Sequence, residues 1–335
     1  MTIKDLSART GYSVGTISRV LNNQPNVSEK ARDVILRAAA ESGFQLNTNA
    51  KQLKQQHGTS ILIVVKGTSN ELFSDLVEAI QSRAAQGTYP IVVDYIDENA
   101  NEVSRALRLC LEKKPLGILF LGGNRQHFLA DFEKIKLPCV LVTNDASGLP
   151  FENLSSVAAD NVAAAKLAID TLVSLGHRKF AVIGGDRQVS DTTILRYQGC
   201  LEAFHSNGIS FHPELDYETA RFSYAGGYRA AQALLERGRD FTALFAMSDV
   251  MAIGAIRALK DAGKRVPEDV AVMGFDGLEI GSYTVPRLAT VCQSVDALAQ
   301  TSLELLQANI ETQAAPRHET VPVTLARKES AGNPI

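Results

Sequence analysis

Between Ser13 and Asn22 the chain reads Ser-Val-Gly-Thr-Ile-Ser-Arg-Val-Leu-Asn, which gathers hydroxyls and a guanidinium within a few residues of one another. Ile17, Val20 and Leu21 fall at i, i+3 and i+4, the spacing of a helical apolar stripe, and this leaves Val14, Gly15, Thr16, Ser18 and Arg19 on the outer face. Hydroxyl and guanidinium groups bond to base edges and a small apolar side chain meets a thymine methyl, so this face has the chemistry of a major-groove reader.

Such a face has to be held by neighbouring elements. Upstream, Ile3 and Leu6 stand three apart in a first helix that Thr2 would cap, with Asp5 three residues on in a box-like position. Gly11 and Tyr12 make a turn, and Ser13 caps the second helix. After an Asn-Asn-Gln-Pro-Asn loop, Ser28 opens a third, whose Ala31, Val34, Ile35, Ala38 and Ala39 are expected to close a small core before Gly43. Two helices joined by a tight turn and backed by a third form the helix-turn-helix plan. Spacing alone leaves a plain packing module and a DNA reader equally open. Charge favours the reader: residues 1–57 hold eight Lys or Arg against four acids, a net of +4, leaving −7 for the rest of a chain whose total is −3. A basic head on an acidic body fits a phosphate-binding module joined to something that should stay off DNA.

The chain has 335 residues and 45% hydrophobic composition, enough for more than one domain with real cores. From Ser60 onward, apolar runs at 61–65, 91–93, 117–121, 139–142, 180–183, 243–246, 270–273 and 321–326 read as strands. Amphipathic helices are expected between several of them, at 72–86, 102–112, 163–175, 194–206, 224–237 and 250–262. Strand and helix alternating in this way predict two doubly wound parallel-sheet lobes with ligands beyond the strands' carboxyl ends. No apolar run approaches the roughly 20 residues that span a bilayer. The N-terminus lacks a signal peptide's apolar stretch, so a cytoplasmic protein with no membrane partner is expected.

Catalysis would require a nucleophile or phosphate loop. The sequence has no Gly-x-Ser-x-Gly elbow, no Gly-Lys-Ser/Thr phosphate loop and no Gly-x-Gly-x-x-Gly after the first strand. Gly122-Gly123-Asn124 and Gly184-Gly185-Asp186 read as strand-end bends. The six histidines show no metal-ligand spacing, and His177, after Leu175-Gly176, suits a helix end. Cys110, Cys139, Cys200 and Cys292 are scattered as reduced thiols would be. No enzyme, catalytic residue, metal or cofactor is expected.

Thr2-Ile3-Lys4-Asp5-Leu6, Ser13 to Asn22, Val27-Ser28-Glu29 and Gly43-Phe44 resemble the DNA-binding head of the LacI/GalR family of bacterial regulators. The resemblance runs on through Asp160-Asn161, Leu175-Gly176-His177-Arg178, Ser248-Asp249, Val266-Pro267-Glu268-Asp269 and Gly274-Phe275-Asp276. It implies a helix-turn-helix head over residues 1–46, a hinge over 47–57 and a periplasmic-binding-protein-like α/β body over 58–335. The body's lobes would be joined by three crossovers, lobe 1 covering about 58–156 and 288–319, lobe 2 about 157–287 and 320–335.

For the effector, the resemblance points to Arg196, Asp276 and an aromatic stack from Phe222. Ser248 and Asp249 follow a strand end, Phe73 heads a helix beside Leu72, and Asn124 and Asn144 end strands of the first lobe. Paired Asp, Asn and Arg with an aromatic face suit a polyol. Each has a duller alternative: Arg196 could pair with Asp276, Phe222 could be core, Asp249 could cap a helix, and Phe73 could face a second subunit. Thr143 and Lys66-Gly67 stand where relatives commonly carry Asp and Pro-Asp, and Lys66 leaves room for an acidic or phosphorylated sugar. Ser190 stands where the purine-binding branch has a second arginine, which favours a carbohydrate.

In the hinge, Leu53 between Lys51 and Lys54 matches the family's minor-groove wedge, with basic neighbours to hold phosphate. Leu46 replaces the usual proline, and Gly15 replaces a larger base-reading residue. The implied protein is a homodimer on palindromic double-stranded operator DNA, contacting it through Val14, Gly15, Thr16, Ser18, Arg19 and Asn22, and released by a small sugar. No leucine-rich heptad follows Ala326, so a dimer is expected rather than a tetramer. The alternatives are a corepressor-dependent regulator and a ligand-binding protein of the same fold without a transcriptional role.

Overall fold

The computed structural model describes residues 3–21, 27–42, 59–68, 70–85 and 89–332. The chain divides into two compact units, Met1–Gly58 and Thr59–Ile335.

In the first unit, α1 (Ile3–Thr10), α2 (Val14–Leu21) and α3 (Glu29–Glu41) surround a core of Leu6, Ile17, Val20, Ile35, Ala38 and Ala39. Gly11 makes the turn at φ +74°, a region that favours glycine. The Ser13 hydroxyl caps α2 by accepting the Thr16 N–H at 3.2 Å, and the Ser28 hydroxyl accepts the Ala31 N–H to cap α3. One core expectation is wrong: Val34 is exposed, because α3 turns the Ala31, Ile35, Ala38 and Ala39 face inward. Thr2, Asn22, Gly43-Phe44 and the hinge, with Lys51, Leu53 and Lys54, lie outside the described residues.

The second unit holds two six-stranded sheets. The first sheet is built from β1 (Ile61–Lys66), β2 (Ile91–Ile96), β3 (Gly117–Leu121), β4 (Cys139–Val142), β5 (Leu154–Ala159) and β11 (His318–Val321). Its order is β11-β5-β4-β3-β1-β2, parallel throughout. The second contains β6 (Phe180–Gly184), β7 (Tyr217–Thr219), β8 (Ala243–Ala246), β9 (Ala271–Asp276), β10 (Ala289–Gln293) and β12 (Val323–Ala326). Its order is β12-β10-β9-β8-β6-β7, with only β12 antiparallel to its neighbour.

Helices cover both faces of these sheets. They are α4 (Glu71–Ala84), α5 (Glu102–Lys113), α6 (Arg125–Asp131), α7 (Asn161–Ser174), α8 (Asp191–Ser206), the single turn α9 (Pro213–Asp216), α10 (Tyr224–Glu236), α11 (Asp249–Asp261) and α12 (Val295–Thr312). Strand β1 shows why the run at 61–65 is uniformly apolar. Ile61, Ile63 and Val65 enter one core with α4 and α12, while Leu62 and Val64 enter another with α5, as a strand covered on both faces requires.

The lobes exchange chain differently from the expected boundaries. The first crossing follows Ala159, because β5 continues past residue 156. Residues 289–293 remain in lobe 2, where β10 pairs with β9, and lobe 1 regains the chain only with α12 and β11. The single strand expected over 321–326 is two strands in different sheets, parted at Pro322, whose missing N–H interrupts a ladder. Among the described residues, no helix is long and apolar enough to cross a membrane.

Candidate functional site

In both sheets the strand order reverses beside the first strand of the lobe, β1 or β6. The carboxyl-end crevices at such switch points receive ligands in open α/β sheets. Here both open on one cavity of about 570 Å³, lined by Lys66, Gly122 and Asn124 from the first lobe and by Gly185 and Asp186 from the second. The glycine bends let aromatic rings lie against backbone. A Cβ on Gly122 would stand 3.0 Å from Phe73 Cζ, and one on Gly185 would stand 2.9 Å from Phe222 Cε2. Phe73 and Phe222 both line the cavity.

Arg196 reaches the cavity from α8 and is 4% exposed. Its guanidinium lies 3.6 Å from the Phe275 ring centroid, Nε donates to Asn161 Oδ1 at 2.8 Å, and Nη1 donates to the Met247 carbonyl. Nη2 stands 3.8 Å from Asp276 Oδ1, close enough for attraction and too long for a hydrogen bond. Burial lowers the Arg196 pKa to about 10, so it stays charged at neutral pH.

Asp276 ends β9 at φ +118°, a conformation costing a non-glycine residue on the order of 1–3 kcal/mol. Burial lifts its carboxyl to about 6, against the opposing pull of Arg196 and Gln293. Oδ1 accepts from Gln293 Nε2 at 2.9 Å. Asp276 Oδ2 and Gln293 Oε1 are buried without a hydrogen-bond partner among the described residues. Two orphaned acceptors beside a guanidinium make a wall that lacks only donors.

Ser248 and Asp249 do not line this cavity. Ser248 caps α11 by accepting the Met251 N–H at 3.3 Å. Asp249 is fully buried: Oδ2 accepts the Gly277 and Leu278 N–H groups at 2.9 and 2.7 Å, and Oδ1 accepts the Thr290 hydroxyl at 2.6 Å. It fastens the loop after β9, and burial with the nearby Asp276 raises it to about 8.

On the first lobe's wall, Asn124 lines the cavity with its polar atoms engaged. Oδ1 caps α6 through the Gln126 N–H at 2.8 Å, and Nδ2 donates across the cleft to the Val189 carbonyl at 3.2 Å. Asn144 also lines it, donating to the Gly123 carbonyl at 3.3 Å. Sequence reasoning missed Glu102, His127 and Gln293. Glu102 is fully buried at the start of α5 and accepts from Lys66 Nζ at 2.6 Å, the Asn124 N–H at 2.6 Å and His127 Nδ1 at 2.8 Å. Lys66 is therefore neither solvated nor free. Further bridges span the lobes: Arg221 pairs with Asp97 at 2.7 Å and Glu98 at 2.6 Å, and the Arg125 N–H reaches Asp191 Oδ2 at 2.6 Å.

In the first unit, α2 buries Ile17 and Val20 and exposes Val14, Gly15 and Arg19. Thr16 is partly buried, with Oγ1 3.0 Å from Ser13 Oγ. Ser18 is on α2, but its side chain lies outside the description. Among the described residues no group of His, Cys, Asp and Glu could hold a metal ion.

Residues 2–47 match the family described as bacterial regulatory proteins, lacI family, and residues 169–331 match a periplasmic binding protein-like domain. The HTH-type transcriptional regulator MalR of Clostridium butyricum is 33% identical over 338 residues, covering 99% of this chain and 100% of that protein. The chain belongs to the lacI family of bacterial regulatory proteins. Its fold is similar to that of a chain in the structure of the Lac repressor dimer bound to operator and the anti-inducer ONPF, with 27% identity, 99% coverage of each chain and a TM-score of 0.82. A CelR–cellobiose complex is 26% identical with a TM-score of 0.72, covering 98% of this chain and 99% of that one. As a lacI family member the protein is a DNA-binding transcriptional regulator, whose head carries α2 and whose body carries the cleft.

Proposed function

We propose that this regulator is a homodimeric, cytoplasmic repressor of carbohydrate-utilisation genes, released from a near-palindromic operator when a sugar binds between the lobes, and without catalytic activity of its own. The observation that carries the reading is the pair of unpartnered acceptors, Asp276 Oδ2 and Gln293 Oε1, beside Arg196. Sugar hydroxyls donate to such acceptors and accept from a guanidinium, while Phe73 and Phe222 add aromatic surface to the lining for C–H groups. The volume also suits a small molecule, since such sites run roughly 300–1,000 Å³. The cellobiose bound to CelR makes cellobiose the first sugar to try.

Two copies of α2 would enter successive major grooves, with Arg19 and Ser18 at base edges and Val14 at a thymine methyl. Gly15 has no side chain to read its position. Residues 47–57 would act as the hinge, Leu53 wedging the minor groove between phosphate-binding Lys51 and Lys54. The sugar changes operator affinity only through its unequal affinity for the operator-bound and released conformations.

The test incubates the purified protein with sheared genomic DNA from its host, with and without each member of a sugar panel, and sequences what is retained. Enrichment of a palindrome that one sugar abolishes is the expected result, and no enrichment under any condition would refute the regulator reading. On the recovered operator, Arg19→Ala should lose about 1–3 kcal/mol of affinity with sugar binding unchanged; an unaltered Kd would remove Arg19 from the interface.

A further inference from the structure

We infer that the cleft takes an uncharged sugar, and that the buried cluster of Lys66, Glu102 and His127 excludes the phosphorylated or acidic counterpart. This rests on the carbohydrate reading above and names the ligand's charge class.

Lys66 ends β1 at the cavity wall, where a free ammonium would hold a phosphate. It is not free. Nζ donates to Glu102 Oε2 at 2.6 Å and to the Ala100 carbonyl, and its side chain is only 11% exposed. Glu102 is fully buried and has no solvent to turn to, so drawing Lys66 toward an anion would take the ammonium from a buried carboxylate and leave it only the Asn124 N–H and His127. Taking one partner out of a buried ion pair is strongly unfavourable, because the other is left without its counter-charge in a medium that cannot solvate it.

The other cations lining the cavity are similarly matched. Arg196 faces Asp276 at 3.8 Å, and Arg221 is held by Asp97 and Glu98. Three cations line the cavity (Lys66, Arg196, Arg221) against three carboxylates (Glu98, Asp186, Asp276), with Glu102 directly behind, so the local sum is negative. An anionic ligand would meet no unmatched positive charge among the described residues.

His127 gives the cluster a positive role. Its Nδ1 lies 2.8 Å from Glu102 Oε2, so that nitrogen carries the proton donated to the carboxylate. In a neutral imidazole Nε2 is then an acceptor, suited to a hydroxyl on the lobe opposite Arg196.

The test is isothermal titration calorimetry of the full-length protein with cellobiose, maltose, sucrose and trehalose, each against its monophosphate. At least one neutral sugar should bind, its monophosphate about 100-fold or more weaker, since the added charge would be set against the carboxylates of the lining. Glu102→Gln removes the carboxylate that sequesters Lys66, and should raise affinity for the monophosphate relative to its parent by about tenfold. The double variant Glu102→Gln with Lys66→Met, which leaves no unmatched buried charge, should lose that gain. A monophosphate that binds the wild-type protein as tightly as its parent overturns the inference while leaving the carbohydrate reading intact. So does a folded Glu102→Gln variant with an unchanged ratio. Failure of every sugar, neutral and phosphorylated, would overturn the carbohydrate reading itself. The wild-type comparison decides the matter even if Glu102→Gln does not fold.

Discussion

On the second lobe's side of the cleft, Asp276 and Gln293 each keep a buried acceptor unpaired beside Arg196, whereas on the first lobe's side Asn124, Lys66 and His127 are tied into Glu102, a helix cap or the opposite lobe. Both walls are polar, yet among the described residues only the second holds buried side-chain acceptors without a partner. Buried unpaired acceptors cost about 1–3 kcal/mol each, so a ligand supplying donors recovers that amount on the second lobe and little on the first. The second lobe should supply grip, and the first should supply selection by shape and charge.

The largest expected effect is at Arg196. Arg196→Ala removes donors to ligand and leaves Asp276 buried without its cation, so sugar affinity should fall about 100-fold or more. Operator binding should persist while induction is lost; induction at the original sugar concentration would break the contrast between the walls.

A smaller effect is expected at Asp276, whose carboxyl sits near pH 6. Hydroxyl donors favour its ionised form, so affinity should be flat above about pH 7 and decline as pH falls through 6 and the carboxyl protonates. Asp276→Asn should lower affinity about tenfold at pH 7 and abolish that slope. A slope that persists in the variant would move the titration away from Asp276.

The smallest change should come from Asn124→Ala, measured by calorimetry and thermal melting. Its side chain caps α6 and bridges to Val189, so affinity should stay within about threefold while the lost cap costs about 1 kcal/mol of stability. A loss as large as that of Arg196→Ala would make the two walls equivalent.

How much of this was legible in the sequence depended on the distance over which each residue finds its partners. The run Ile-Leu-Ile-Val-Val of β1 declares a strand buried on both faces. Leu-Ser-Ser-Val-Ala-Ala of β5 does not, because Ser155 is buried by accepting hydrogen bonds from Asn309 Nδ2 and the Arg317 N–H, more than 150 residues away. Arg196, Asp276, Phe73, Phe222 and Asn124 were expected at an effector site from chemistry together with family resemblance, and the structure brings all five to the lining of one cavity. Asp249 misled because a carboxylate after a strand end suits a cleft, and its partners Gly277, Leu278 and Thr290 come from distant chain. Glu102 drew no notice because an acid in a helix's first turn is already explained by the helix dipole.

The split at Pro322 makes each lobe depend on the same short stretch of chain. His318–Val321 forms the edge of one sheet and Val323–Ala326 the edge of the other, nine residues in all with the proline between them. A frameshift or proteolytic nick just before His318 would therefore uncover the flank of both sheets at once, baring β5 in one lobe and β10 in the other to pairing with foreign strands. Such a shortened polypeptide would present an open pairing edge on both lobes, so that a single cut turns two closed flanks into two sites for aggregation.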